Sequence, residues 1–328
     1  MILIFSRTFF TLITMVFLSP LALADDDDDL AVNEVEGSLS VMVLGSGGPI
    51  ATAEGRASAG YLIFTDGKPR ILMDVGGGTY QRLAKSGTNI QGLDIILLSH
   101  LHADHTGDLT PVMKTIYFHN NLARSQNHTI PPRIKPIRIY GPASSTIPRG
   151  AGSKGVYYPI PGTEPPVDGP LIYPATADYV EGHYSIPGGV ERYLEAFVKG
   201  ISVGLSDFEY TSNDLALKQT GTPFPLYTDV QTISFDGDEG GLVVKYIPVD
   251  HGPVPAVAFR IEYKGHSIVY SGDTGSKGLG GEVVDGVVYP GFGANNMTTI
   301  SQGADLLIYD TAVMEADGLP NNPLSEIL

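Results

Sequence analysis

Short apolar runs alternate with glycine-rich turns from about residue 38 onward, and this spacing predicts strands more than long helices. The strands predicted in the first half are residues 39–44, 61–65, 71–75, 94–99 and 137–140. Those predicted in the second half are residues 242–249, 256–263, 267–270 and 305–309. Asp66-Gly67 and Lys264-Gly265 predict tight hairpin turns. Two strand-rich halves with helices beside them predict two packed sheets with helices outside.

Helical spacing is found in three stretches, residues 79–85, 109–118 and 190–198. Residues 141–188 are instead rich in glycine, proline and tyrosine and show no clear period. A segment of this length without elements of its own is usually a lid, an arm or a dimer clasp. The alternative is a loop that only covers the domain. Since a dimer clasp is one of these alternatives, a homodimer is one expected assembly.

The first 24 residues have the pattern of an export signal. Arg7 precedes an apolar run, and Ala22 and Ala24 supply the small residues of a cleavage site. A membrane anchor is the alternative, but the run is shorter than the roughly 20 apolar residues that a spanning helix needs. We therefore expect cleavage after Ala24, a periplasmic or extracellular location and no stable membrane insertion. An acidic disordered tail, residues 25–37, would then precede one folded domain, residues 38–328.

The composition excludes several kinds of metal site and catalytic residue. The 328 residues include 20 Lys+Arg and 36 Asp+Glu, for a formal net charge of -16, and no cysteine. Without cysteine there is no disulfide, thiolate zinc site, iron–sulfur cluster or cysteine nucleophile, so a metal would be bound by His, Asp and Glu. The acidic balance predicts no nucleic-acid partner, because nucleic-acid binding requires a basic surface.

The strongest chemical signal follows the predicted strand 94–99 and reads HLHADHTGD. Alternate residues of an extended segment face the same way, so His100 and His102 can bind one ion. A turn toward the next helix can direct Asp104 and His105 at a second ion. Imidazole and carboxylate without thiolate suit zinc, with manganese or iron as alternatives.

Two later motifs can complete these sites. His251 ends an apolar strand in VDHGP, and Asp273 ends another in YSGDT. Alone, His251 could be a core histidine and Asp273 a turn residue. Beside the histidine motif both become candidate ligands, since the two oxygens of a carboxylate can bridge two ions about 3.5–4 Å apart. The predicted metal ligands are His100, His102, Asp104, His105, His251 and Asp273.

Together these motifs resemble the metallo-β-lactamase fold. The turn LGSGGP, the segment ILMDVG with Asp74, and the motifs HLHADH, VDHG and SGDT cover most of residues 39–311. The resemblance implies an α/β fold, an αββα sandwich, with two zinc ions in a cleft at one edge. It implies a first zinc on His100, His102 and His251, a second on Asp104 and His105, and Asp273 bridging them. The VDHG to SGDT spacing looks most like the tRNase Z and arylsulfatase branch.

One departure from the family pattern concerns the second zinc. The family places a seventh ligand, a histidine, after the strand corresponding to residues 305–309, and this sequence has no histidine beyond His266. Either the sequence lacks its C-terminal ligand and helix, or the second zinc has fewer ligands and binds more weakly. His183, among the tyrosines of residues 141–188, is a candidate substrate contact.

The resemblance implies hydrolysis by metal-bound hydroxide, with Asp104 also acting as the general base. Export and acidity disfavour tRNA processing, and the missing cysteine disfavours the commonest zinc β-lactamases and the formylglycine sulfatases. The function predicted is therefore a secreted zinc-dependent arylsulfatase acting on a small aryl sulfate ester. One alternative is a secreted phosphodiesterase or another ester hydrolase of this fold. Another is a non-catalytic, metal-stabilised binding protein.

Overall fold

The structure is a computed structural model. It describes residues 35–49, 56–90, 93–116, 136–144, 158–159, 168–169, 173–184, 210–218, 226–235, 239–251, 254–274, 282–284, 287–289 and 293–309. The predicted export signal, residues 1–24, and the predicted helix 190–198 lie outside the described residues. Both stay predictions, as does the acidic tail, of which only residues 35–37 are described.

Fifteen strands are formed by the described residues. In chain order they are β1 (Leu39–Gly45), β2 (Gly60–Thr65), β3 (Lys68–Met73), β4 (Ile95–Leu97), β5 (Ile137–Pro142), β6 (Tyr158–Pro159), β7 (Asp168–Gly169), β8 (Tyr210–Leu215), β9 (Gln231–Thr232), β10 (Val243–Pro248), β11 (Val257–Tyr263), β12 (His266–Tyr270), β13 (Glu282–Val284), β14 (Val287–Tyr289) and β15 (Leu306–Ile308). The helices are α1 (Thr79–Lys85), α2 (Ala103–Thr106), α3 (Thr176–Tyr184) and α4 (Gly293–Ser301), and residues 109–116 are also helical.

Two larger sheets dominate the topology. The first has the order β1-β2-β3-β4-β5-β8, and the second has the order β15-β12-β11-β10-β9. In the first sheet β3, β4, β5 and β8 are parallel neighbours, whereas β1 and β2 are antiparallel. In the second sheet β10, β11 and β12 are antiparallel, and β15 joins β12 in parallel. The two-sheet architecture predicted from the sequence is confirmed.

Side chains alternate between the two faces of each sheet, as strand geometry requires. In the first sheet Tyr61, Ile71 and Ile95 face the second sheet and pack with Phe259 and Tyr270 in a shared core. The intervening side chains form a separate core on the outer face of the first sheet, beneath α1, the 109–116 helix and α3. A smaller core packs α4 on the outer face of the second sheet. The layers are therefore helix, sheet, sheet, helix.

The carboxyl ends of several strands meet at one end of this sandwich. Strands β3, β4 and β5 are parallel, so they end at the same edge. Strands β10 and β12 are both antiparallel to β11, so they also end together. The two edges are joined by a backbone hydrogen bond, in which Val257 N–H donates to the Ser99 carbonyl at 2.9 Å. Residues that follow these strands are thereby brought together.

Most predicted elements are confirmed to within a few residues, including the helix over 79–85 and the hairpin turns at Asp66 and Lys264. The interpretation of residues 141–188 as lacking elements is wrong, because α3 and two short strands lie there. Thr176, Val180 and Tyr184 are buried at a spacing of four, which is a helical period. Among the described residues, no helix combines the length and apolar character needed to cross a membrane.

Candidate metal centre

The histidine-rich segment leaves β4 in an extended conformation and then enters a single helical turn. His102 is the residue before α2, with φ -67° and ψ 153°, and Asp104 and His105 lie within that turn. The segment after β3 holds this turn in place, because Val75 N–H donates to the His105 carbonyl at 2.8 Å. Gly76 allows the close approach, since a Cβ there would lie 1.8 Å from the Asp104 carbonyl oxygen. The segments that follow β3 and β4 therefore fix the positions of His102, Asp104 and His105.

The structure brings all six predicted ligands into two groups that share one carboxylate. The ligand atoms within each group lie within 4.8 Å of one another. The first group, here called the histidine group, consists of His100, His102, His251 and Asp273. The second, the carboxylate group, consists of Asp104, His105 and Asp273.

The atom separations in the histidine group suit a single ion. His251 Nε2 lies 3.2 Å from His102 Nδ1 and 3.7 Å from Asp273 Oδ2. His100 Nε2 lies 3.8 Å from the same oxygen. Two nitrogens bound to one tetrahedral zinc ion at 2.0–2.1 Å lie roughly 3.3 Å apart. The nitrogen–nitrogen separation matches this value, and the separations of 3.7 and 3.8 Å to the carboxylate oxygen are somewhat longer.

The carboxylate group uses the other oxygen of Asp273. His105 Nε2 lies 3.3 Å from Asp273 Oδ1 and 3.5 Å from Asp104 Oδ2. The Nε2 atoms of His100 and His105 are buried and have no hydrogen-bond partner among the described residues. A buried polar atom without a partner is costly. The donor set therefore fits a metal ion at each group.

A buried aspartate outside both groups orients His105. Asp74 is fully buried directly after β3, and its Oδ2 lies 2.7 Å from His105 Nδ1. The same oxygen accepts hydrogen bonds from Ser99 Oγ and Tyr270 Oη, each at 2.7 Å, and Oδ1 accepts one from Ser99 N–H at 2.7 Å. Four donors thus converge on one carboxylate. The backbone of Asp74 has a φ of 51°, a conformation that aspartate tolerates better than most residues.

These contacts decide which nitrogen of His105 and of His100 is available to a metal ion. His105 Nδ1 carries the proton that it donates to Asp74, so Nε2 presents a lone pair to the carboxylate group. Ser99 Oγ gives its proton to Asp74 and therefore accepts from His100 Nδ1 at 3.1 Å. The Nε2 of His100 is then free to bind in the histidine group.

Burial and neighbouring charges affect the buried histidines differently. Burial lowers the pKa of His100 well below its usual value, and the nearby His105 lowers it further. Burial also lowers the pKa of His251. Burial opposes protonation of His105 too, but the charge of Asp74 and the nearby carboxylates of Asp104 and Asp273 raise its pKa well above the usual value. His100 and His251 are thus held neutral, the form that binds metal.

Two predictions concern residues away from these groups. His183 lies exposed on α3, where its Nδ1 is 2.9 Å from the Tyr179 carbonyl oxygen and its ring is 4.4 Å from the Tyr179 ring. It belongs to neither metal group, and its role in substrate binding stays a prediction. The sequence has no histidine after β15, and residues 310–328 lie outside the described part of the chain, so a second zinc with fewer ligands also stays a prediction.

Residues 53–314 match the metallo-beta-lactamase superfamily. The chain belongs to this family. The αββα sandwich expected from the sequence motifs is therefore confirmed, and the superfamily supports a metal-binding hydrolase. The metal-group residues and Asp74 all lie within the matched region.

Several relatives of this metallo-beta-lactamase superfamily protein have the name Ribonuclease Z. The chain is 30% identical over 237 residues to Ribonuclease Z of Mycobacterium bovis, covering 72% of this chain and 63% of that protein. It is 27% identical to Ribonuclease Z of Mycobacterium marinum over the same shares of the two chains. Each match spans less than two thirds of the relative's length. The crystal structure of human tRNase Z, short form, is 19% identical, with a TM-score of 0.43, covering 81% of this chain and 75% of that one.

These relatives correct two predictions. The arylsulfatase prediction is wrong, because the relatives at 27–30% identity are named Ribonuclease Z. Excluding a nucleic-acid partner is wrong for the same reason. Net charge is a sum over the whole chain, including the run Asp25–Asp29 far from the ligands in sequence. It does not measure the local potential at a site that binds divalent cations.

Proposed function

We propose that this chain is a metal-dependent phosphodiesterase that hydrolyses phosphodiester bonds in RNA, with two zinc ions as its cofactors. The observation that carries the proposal is the shared carboxylate. Asp273 presents Oδ2 to His100 and His251 and Oδ1 to His105, so one side chain serves both groups. A pair of adjacent ions is the usual arrangement in enzymes that cleave phosphate esters. The name Ribonuclease Z of relatives over 72% of this chain supports RNA as the substrate.

The two groups have defined roles in this proposal. The histidine group would hold one ion and the carboxylate group the other. When bound, such ions lower the pKa of a coordinated water and offset negative charge on a phosphodiester. The protein's own contribution is to keep the ligand atoms aligned. His100 and His105 are locked through their Nδ1 atoms, so their Nε2 atoms need no reorientation when metal binds.

Asp104 is the residue to which we assign the general base. Asp273 is committed to both groups, and Asp74 already accepts four hydrogen bonds. Asp104 is partly exposed and belongs to one group only. One of its oxygens can therefore accept the proton of an attacking water while the other remains with the carboxylate group.

Export is a further part of the proposal. The pattern in residues 1–24 predicts cleavage after Ala24 and a periplasmic or extracellular location. An exported enzyme would act on RNA outside the cytoplasm. Sequencing the amino terminus of the protein purified from its native host tests this, with Asp25 as the expected first residue.

The activity is tested with three substrates and the zinc-loaded chain: an RNA with a structured 5′ part and a 3′ extension, bis(p-nitrophenyl) phosphate, and p-nitrophenyl sulfate. We expect hydrolysis of both phosphodiesters and none of the sulfate. A chelator should abolish turnover, and added zinc should restore it. Asp273→Ala should remove activity and lower the zinc content while the far-ultraviolet circular dichroism stays unchanged.

Two outcomes would contradict the proposal. If the zinc-loaded protein cleaves no phosphodiester, the proposed function is wrong, and if it cleaves none of the three substrates, a metal-stabilised binding protein is favoured. If Asp273→Ala is folded and turns over like the wild type, the shared carboxylate does not serve the reaction. Zinc content per chain, measured by atomic emission, separates a failure of loading from a failure of chemistry.

A further inference from the structure

A small cavity opens directly beside the histidine group. Its volume is about 150 Å³, and its walls include Leu101, His102, Tyr173, Tyr179 and Val254. His102 therefore borders both the cavity and the histidine group. A molecule in this cavity would lie next to a metal bound there.

The walls suit an uncharged ring and not a phosphate. None of the described residues that line the cavity is a lysine, arginine, aspartate or glutamate, and the walls include two tyrosines and three prolines. A phosphate group requires positive charge or several hydrogen-bond donors. Cavities of roughly 150 Å³ with apolar walls accommodate a ring the size of benzene. The occupant that fits is a planar ring attached to a group that reaches the metal.

The aromatic wall is anchored to the metal-binding loop. Tyr179 Oη lies 2.8 Å from Thr106 Oγ1, and Thr106 Oγ1 donates to the His102 carbonyl at 2.9 Å. Helix α3, which carries Tyr179, is tied to the end of β5 because Thr176 Oγ1 donates to the Pro142 carbonyl at 3.0 Å. These contacts fix Tyr179 relative to His102, and Tyr173, the other tyrosine of the wall, lies three residues before α3. A preformed wall stacks a ring without first having to be ordered.

We propose that this cavity binds the base of a nucleotide next to the scissile phosphodiester, with the base stacked on Tyr173. This inference rests on the proposed function and adds to it a determinant of substrate recognition. The phosphate would lie at the metal groups and the neutral base in the apolar cavity, as the charges of the two places require. Stacking on an aromatic side chain is sequence-tolerant because every base has a π face.

The substrate pair that tests this proposal is an RNA with one cleavage site and the same RNA carrying an abasic residue. One version places the abasic residue 5′ and another 3′ of the scissile phosphate, so that either side can be the one bound. For the zinc-loaded wild type we expect one of the two to raise KM by about 5- to 150-fold, the range for loss of one stacked base. The value of kcat should change less, since the base is distant from the reacting atoms.

Variants of Tyr173 test whether its ring is the surface on which the base stacks. Tyr173→Ala should raise KM for the intact RNA by a similar factor and leave KM for the sensitive abasic RNA unchanged. Tyr173→Phe keeps the ring and should behave like the wild type. Tyr173→Leu keeps most of the volume without a π face and should behave like Tyr173→Ala. Tyr80→Ala removes an exposed tyrosine on α1 that does not line the cavity, and it is the matched control.

The outcomes separate this inference from the function on which it rests. If the wild type cleaves RNA but Tyr173→Ala leaves KM unchanged, or changes it equally for intact and abasic RNA, the cavity does not bind the base. If Tyr173→Ala affects only bis(p-nitrophenyl) phosphate, the cavity binds an aryl group of another substrate, and the inference is wrong. If the loaded wild type cleaves no phosphodiester, the proposed function and the inference fail together.

Discussion

Both ends of the sandwich link the sheets through an aspartate of the first sheet and a tyrosine of the second. At one end Tyr263 Oη donates to Asp66 Oδ2 at 2.7 Å, and at the other Tyr270 Oη donates to Asp74 Oδ2 at 2.7 Å. Both aspartates have a positive φ, 48° and 51° respectively. The side chain of Asp66 is 46% exposed, whereas that of Asp74 is completely buried.

This difference in burial changes what the same contact does. Water and salt screen the contacts of Asp66, which also accepts from the exposed Lys264 Nζ at 2.7 Å. Asp74 is out of reach of water, so its hydrogen bonds are both stronger and harder to replace. Because His105 is among its donors, a contact that joins two sheets also aligns a metal ligand. The two ends thus provide a comparison within one molecule.

The largest expected effect comes from Asp74→Asn compared with Asp66→Asn. In Asp74→Asn an amide replaces an acceptor on which four donors converge, so His105 loses the partner that sets its tautomer. We expect a loss of about 10- to 100-fold in zinc affinity or activity, the usual cost of removing such a partner. Asp66→Asn should leave zinc affinity unchanged. Zinc titration against a competing chelator measures both variants.

A matched thermal melt of the zinc-free proteins distinguishes alignment from folding. Asp74→Asn should melt at a lower temperature than Asp66→Asn, because a buried acceptor is replaced. If both variants bind zinc with wild-type affinity, the buried aspartate only joins the sheets. Equal losses in the two variants would show that the affinity reports overall stability and not the alignment of His105.

The six candidate ligands could be predicted from sequence because they follow apolar strands in recognisable motifs. Strand ends determine where residues such as His251 and Asp273 lie, and the parallel and antiparallel order brings those ends together. The network around Asp74 could not be predicted in the same way. Its partner Tyr270 is 196 positions away, and their contact depends on how the two sheets pack. Asp74 was recognised as part of a motif, but its contacts required the structure.

Helix α3 illustrates a different limit. Its buried positions Thr176, Val180 and Tyr184 repeat every four residues, but the segment also contains Gly182 and lies among prolines and tyrosines. Those residues lower helix propensity, so local preference and packing disagreed. Strand β8 was missed because its sequence, YTSNDL, is mostly polar. In both elements, contacts with neighbouring strands stabilise a structure that the local sequence does not indicate.

A smaller effect is expected from Tyr270→Phe compared with Tyr263→Phe. Each change removes one hydroxyl that donates to an aspartate at 2.7 Å, so the variants are chemically matched. Tyr270→Phe leaves a buried carboxylate with one donor fewer, which costs about 1–3 kcal/mol of stability. We expect a severalfold loss of zinc affinity in Tyr270→Phe and none in Tyr263→Phe. Denaturant unfolding and zinc titration measure the two quantities.

The opposite result would change the comparison between the two ends. If Tyr263→Phe destabilised the protein as much as Tyr270→Phe, burial would not be what separates them. If Tyr270→Phe were less stable but bound zinc normally, the remaining donors, Ser99 and His105, would be sufficient to hold Asp74.

The smallest expected effect is the pH dependence of the exposed end. Hydrogen bonds from Lys264 and Tyr263 lower the pKa of Asp66 below its usual value of 3.8. A carboxylate with a lowered pKa in the folded state stabilises that state fully above its unfolded pKa. The contribution is lost as the pH falls through the folded-state pKa, because the protonated acid no longer pairs with Lys264. Asp66→Asn cannot titrate, so the wild type should be slightly more stable than this variant at pH 7.

That small advantage should shrink as the pH is lowered below about 3.8 and should also shrink in 1 M salt, which screens an exposed pair. Denaturant midpoints of the zinc-free wild type and Asp66→Asn at pH 7, 5 and 3 measure it, and the difference between the two proteins cancels the titration of other groups. An advantage that persists unchanged at pH 3 would mean that Asp66 acts through its shape at the turn and not through its charge. The difference in burial between Asp66 and Asp74 would then not be enough to explain why the two ends of the sandwich differ.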